Sequence, residues 1–192
     1  MAEEDNISTT ETEKAIENAE EAGDLSSLLS IIESLATYGG DPDESEEAEE
    51  WETPTEAALD AFYRLTKGGD AAPLTSLCTL WNVLDSWKNS EAIVEVCLGC
   101  IVYASKSVDD VSVNNIDTKL IITIMQQYKD EGTIQEQACL AIESMASSST
   151  LLKEKLACDE IKDELIAAKD RIHNERNKKY PGLAAAALNL EL

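Results

Sequence analysis

Val96-Cys97-Leu98-Gly99-Cys100-Ile101-Val102-Tyr103-Ala104-Ser105 returns 42 positions later as Ala138-Cys139-Leu140-Ala141-Ile142-Glu143-Ser144-Met145-Ala146-Ser147. Cys, Leu, a small residue, Ala and Ser fall in register between the two. The same frame fits Ala58-Leu59-Asp60-Ala61-Phe62 at an offset of about 39, and Gly182-Leu183-Ala184-Ala185-Ala186-Ala187-Leu188 at 43. Leu59, Leu98, Leu140 and Leu183 thus mark four copies of one helix. Self-similarity at 39–43 residues is the mark of a repeat architecture and exceeds the 34 of tetratricopeptide arrays. A unit of this size buries its apolar face only by stacking on its neighbours.

Working outward, the spacing of apolar residues predicts helices throughout. Thr10-x-x-Glu13 is a capping box opening a polar helix that Gly23 stops, and Asp24 caps a second helix through Leu35. Thr53-Pro54-Thr55-Glu56 reads as a helix start with Pro at the first position. Its helix turns Ala58, Leu59, Phe62 and Leu65 inward. Helices follow at about 73–87 (with Leu74 inward), 91–106 and 116–129, with a loop at about 107–115. The helix at 91–106 is apolar on most sides, as in a helix buried between neighbours. Thr133-x-x-Glu136 is a second capping box; further helices are expected at 151–157, 159–173 and 183–190.

Four segments result. Residues 1–9 read as a disordered tail, 10–38 as an N-terminal helical hairpin, 39–53 as an acidic flexible loop and 54–192 as the repeats. The loop's run of carboxylates repels itself and offers little to bury. It serves either as bait for a basic segment or as a solvated linker.

The formal net charge is −24, unevenly spread: residues 1–60 hold 20 acidic residues and one basic residue, Lys14. Such a field repels nucleic acid and anionic membranes and attracts basic partners. Five cysteines, four of them in apolar helical patterns, suit a reducing compartment. Cys97-x-x-Cys100 lacks both the strand context of a redox motif and the second pair of a zinc site. With no secretory signal or membrane-length apolar run, a cytoplasmic or nuclear location is expected. The single histidine, His173, sits in a charged stretch, and no phosphate loop is present. No catalytic residue, metal or cofactor is expected.

Ile134-Gln135-Glu136-Gln137-Ala138-Cys139-Leu140-Ala141-Ile142-Glu143-Ser144-Met145-Ala146 resembles the third helix of an armadillo repeat, where a VQEQA-x-x-AL-x-NLA run is common. Leu120–Met125 is similar to that family's second helix. The resemblance is strongest over about 116–190 and weakest before 55, and HEAT repeats share its frame. It implies an all-α fold: a right-handed α–α superhelix of about three to four repeats behind an N-terminal hairpin cap. It also implies a protein-interaction scaffold whose third helices line a concave groove, with Tyr63, Tyr103, Glu136, Glu143 and Ser144 as candidate partner-binding residues. The import-type members carry a Trp and an Asn four apart on each third helix. Here those positions hold Leu59 and Tyr63, Leu98 and Val102, Leu140 and Ser144, so no copy has the pair. The expected partner is another protein or peptide, and a basic segment in it would suit the acidic field. The alternative is a structural or assembly subunit, self-associating through the apolar stretch Leu183–Leu192.

Overall fold

The structure, a computed structural model, describes residues 8–108, 113–114 and 116–192. These form ten α-helices and no strand: α1 Thr9–Ala22, α2 Leu25–Leu35, α3 Glu46–Gly68, α4 Ser76–Ser86, α5 Glu91–Ala104, α6 Lys119–Gln127, α7 Gly132–Ser148, α8 Thr150–Leu156, α9 Asp159–Arg171 and α10 Tyr180–Leu188. Residues 1–7 of the expected tail, and most of the loop read at 107–115, lie outside the described residues.

Helix boundaries follow from local chemistry. Ser8, not Thr10, caps α1, and its box partner is Glu11. Gly23, at φ 65°, closes α1 in the left-handed conformation that glycine adopts without strain. Asp24 then caps α2, accepting from the Ser26 and Ser27 amides at 3.1 Å and from Ser27 Oγ at 2.6 Å. These bonds hold its carboxyl below the usual range.

The largest correction concerns residues 39–53. Only 39–45 are non-helical; 46–53 form the first two turns of α3. Ser45 accepts from the Ala48 amide, and Glu46, Glu47 and Glu49 lie where the helix macrodipole favours negative charge. Ala48 and Trp51 are buried, and Trp51 stacks on Tyr38 with ring centroids 4.3 Å apart. Pro54 is consequently inside α3 rather than at its start. Proline there removes one backbone donor. Thr55 Oγ1 donates to the Trp51 carbonyl at 2.7 Å beside it.

Helices α3, α5, α7 and α10 pack each on the next, and α1 packs on α3. A second set lies against this row: α2 on α3 and α4, α4 on α5, α6 on α7 and α9, and α9 on α10. In this row α5 and α7 run the same way. Thr133 and Glu95 bond near the starts of α7 and α5, while Ser144 Oγ donates to the Val102 carbonyl near their ends. Cys100 Sγ donates to the Leu59 carbonyl on α3, and Cys97 Sγ to the Leu80 carbonyl on α4. The two thiols therefore point at different helices, which is why α5 is apolar nearly all round.

Burial resets the repeat register. Ala58, Cys97 and Ala138 are buried equivalents, as are Phe62, Ile101 and Ile142. The α5-to-α7 offset is thus 41, not the 42 that residue identity suggests. Leu98 corresponds to buried Cys139; Leu140 is half-buried and Leu183 is 46% exposed. Leu74, expected inward, is 56% exposed.

The Thr133/Glu136 capping box does not form. The α7 cap is Glu131 without a side-chain bond; Thr133 Oγ1 donates to Glu95 and Glu136 accepts from Asn177 Nδ2 at 2.7 Å. Fully buried Gln135 ties three helices together. Its Nε2 donates to the Met125 and Tyr128 carbonyls, both at 2.9 Å, at the end of α6. Its Oε1 accepts from Arg171 Nη1, which also reaches Glu164 at 2.7 Å. Replacing Gln135 with Leu should take the Nε2 donor from the Met125 and Tyr128 carbonyls and the Oε1 acceptor from Arg171, and cost about 2 kcal/mol in urea unfolding. A loss below about 0.5 kcal/mol would show that this network does not hold α6 against α7 and α9.

Candidate functional site

On α3 the residues Glu52, Glu56, Asp60, Tyr63 and Lys67 recur at helical spacing along one face. On α5 Glu91, Glu95 and Gly99 do the same, and Lys106 follows in the short 3₁₀ turn Ser105–Ser107. A cleft of about 590 Å³ opens between these faces. Glu56 and Asp60 line one wall, Glu91 and Glu95 the other, and Gln137 reaches it from α7. Tyr63 closes the end of the carboxylate section. Its ring lies against Gly99, where an added Cβ would come within 3.3 Å of Tyr63 Cε2. Gly99 is therefore what lets the ring approach the α5 backbone.

Beyond Tyr63 the chemistry changes sign. Tyr63 and Tyr103 meet edge-on, with centroids 5.4 Å apart. Lys67 Nζ lies 5.0 Å from the Tyr63 centroid and Lys106 Nζ lies 4.6 Å from that of Tyr103, both within cation–π range. The faces of α3 and α5 thus carry the carboxylate cleft near the helix starts, the tyrosine pair at its end, and two ammonium groups beyond the cleft.

The carboxylates repel one another. Glu56/Asp60 and Glu91/Glu95 are like-charge pairs four apart, an arrangement that destabilises a helix. Partial loss of solvent, then the charges of Asp60, Glu52 and Glu95, push the Glu56 carboxyl above its usual range. Arg64 neutralises this cluster only in part: it holds Glu20 on α1 at 2.7 and 2.9 Å and reaches Asp60 at 3.9 Å.

The sequence candidates divide. Tyr63 and Tyr103 come together and border the cleft. Glu136 and Glu143 are half-buried on α7, outside it. Ser144 is buried, its hydroxyl committed to the Val102 carbonyl at 2.7 Å, so it presents nothing to a partner. Glu56, Asp60, Glu91, Glu95, Lys67 and Lys106 are missed by sequence reasoning. The corrected register contains their signal: Glu56, Glu95 and Glu136 are equivalent positions, 39 and 41 apart, as are Lys67 and Lys106.

The cysteines are placed as core. Burial raises the Cys97 and Cys100 thiols well above their ordinary value and brings Cys139 up to about 12, the reverse of a reactive thiolate. Among the described residues, no group of His, Cys, Asp and Glu is arranged to hold a metal ion, and no helix is long and apolar enough to cross a membrane. No family model, curated protein or solved structure matches the chain.

Because the Glu56 carboxyl titrates higher folded than unfolded, the folded chain binds protons more readily there, and this site's contribution to stability falls as pH rises through the carboxylate range. Glu56→Gln should therefore raise stability at pH 7, by a few tenths of a kcal/mol at so solvated a position. The gain should shrink as the pH is lowered to about 4. Urea midpoints at the two pH values check this; a destabilised variant at pH 7 would mean that the cleft carboxylates do not oppose one another.

Proposed function

We propose that the chain is a non-catalytic interaction scaffold of armadillo type, with a partner lying along the face formed by α3, α5, α7 and α10. The observation that carries this reading is the reach of its side-chain bonds. Among the described residues, every side-chain hydrogen bond between residues more than 20 apart spans 36 to 52 positions, from Trp81 to Asp117 at the short end to Trp87 to Leu35 at the long end. Such a narrow band is what a stack of like units produces, since each unit touches only the next. It agrees with the repeat of 39–43 residues read from the sequence.

A stack of this kind offers one side of its helix row to solvent. Here that side carries the cleft, the tyrosine pair and the Glu56, Glu95 and Glu136 series. Like-charged walls that cost stability are more readily explained by a bound partner than by folding alone. Buried, unpaired thiols fit a cytoplasmic or nuclear setting. Exposed Leu183 and Leu192 favour a second reading, a subunit that self-associates through its C-terminal helix. Sedimentation at high concentration separates the two: the scaffold reading expects a monomer.

A photo-crosslinking amino acid at Ala92, Leu140 or Leu183 should capture a partner protein in cells, while the same group at Asn82 on α4 or Thr123 on α6 should not. Capture from α4 and α6 alone would overturn the reading.

A further inference from the structure

The face formed by α3 and α5 is bipolar along its length, which constrains its occupant more than net charge does. Helix rise separates Asp60 from Lys67 by about 10 Å and Glu56 from Lys67 by about 16 Å. An extended chain covers those spans in about three to five residues. The four carboxylates stand on two opposed walls, suited to the elongated stem and cationic head of a basic side chain. Nucleic acid is repelled by these walls, and a purely basic segment would meet Lys67 and Lys106 at the far end.

We infer that the α3–α5 face binds an extended polypeptide segment lying lengthwise over the helices, with a basic side chain in the cleft among Glu56, Asp60, Glu91 and Glu95 and an acidic side chain, about three to five residues away, at Lys67 and Lys106. This deepens the scaffold reading and rests on it. The intervening residues cross Tyr63 and Tyr103, whose aromatic surfaces favour an apolar or aromatic side chain there. The Tyr63 ring covers Gly99, so the segment meets that ring rather than the α5 backbone. Charge complementarity therefore specifies a segment nearly neutral overall, with its two charges at a set separation. An acidic surface acting only through its field would select any cation and ignore that spacing.

The probe is the decapeptide Gly-Ser-Arg-Gly-Pro-Tyr-Ser-Glu-Ser-Gly, titrated into the ¹⁵N-labelled full chain and followed by amide chemical shifts. Saturable shifts are expected at Tyr63, Lys67, Val96 and Gly99. Changing the peptide Arg to Gln should weaken binding about fivefold or more in the wild-type chain and have little effect in E56Q/E95Q. Changing the peptide Glu to Gln should behave likewise against K67Q/K106Q. The control E17Q/E21Q, which removes equal charge from α1, should bind as wild type does. Absence of saturable shifts, shifts centred on Glu46–Glu50, or equal weakening by E17Q/E21Q would overturn the proposal. Should the peptide fail while crosslinks from Leu140 and Leu183 still capture a partner, this occupant is wrong and the scaffold reading stands.

Discussion

Burial between neighbours is the constraint on which this structure depends. No helix of the row α3, α5, α7 and α10 can cover its own apolar face. Each covers the next, at a separation of about forty residues along the chain. The middle members pay no penalty for being apolar on several sides: α5 meets α3, α4 and α7, and its two central thiols reach carbonyls on α3 and α4. The ends are different. The charged helix α1 closes one side of the row, held by Arg64 to Glu20, and α10 leaves Leu183 half open at the other.

Much of this was legible in the sequence, because helical periodicity and a repeat of residue types survive without any knowledge of contacts. What failed did so for physical reasons. The stretch 46–53 reads as disordered when its charge is weighed alone; the decisive residues are Ser45 as a cap and Ala48 and Trp51 at a spacing of three, which bury one side of an otherwise anionic helix. Leu98 and Leu140 match as letters but not in burial, since Leu98 is buried and Leu140 half-buried, and packing sets the register one residue away. Thr133 and Glu136 have the spacing of a capping box, yet Glu95 and Asn177 on neighbouring segments win them. A local motif is only an offer, and a tertiary partner can take it up instead.

The candidate site shows the same limit more sharply. Tyr63 and Tyr103 were accessible as polar aromatics on repeat-bearing helices, but their meeting depends on Gly99, a contact between residues 36 positions apart. The opposed carboxylates were visible only as part of an acidic total. Once the register is set by burial, Glu56, Glu95 and Glu136 become one series and Lys67 and Lys106 another. Charge that reads in the sequence as a general acidic field then acquires direction along the α3–α5 face. Stability and recognition are in tension there, since the walls that would hold a cation repel each other when empty.

The most direct measurement is a nuclear Overhauser spectrum of the labelled chain, read at the Tyr63 ring. Packing at the offset described here requires cross-peaks from that ring to both the Gly99 α-protons and the Tyr103 ring. Cross-peaks instead to residues a helical turn away on α5, or to no residue of α5, would contradict the nearest-neighbour register from which the rest follows.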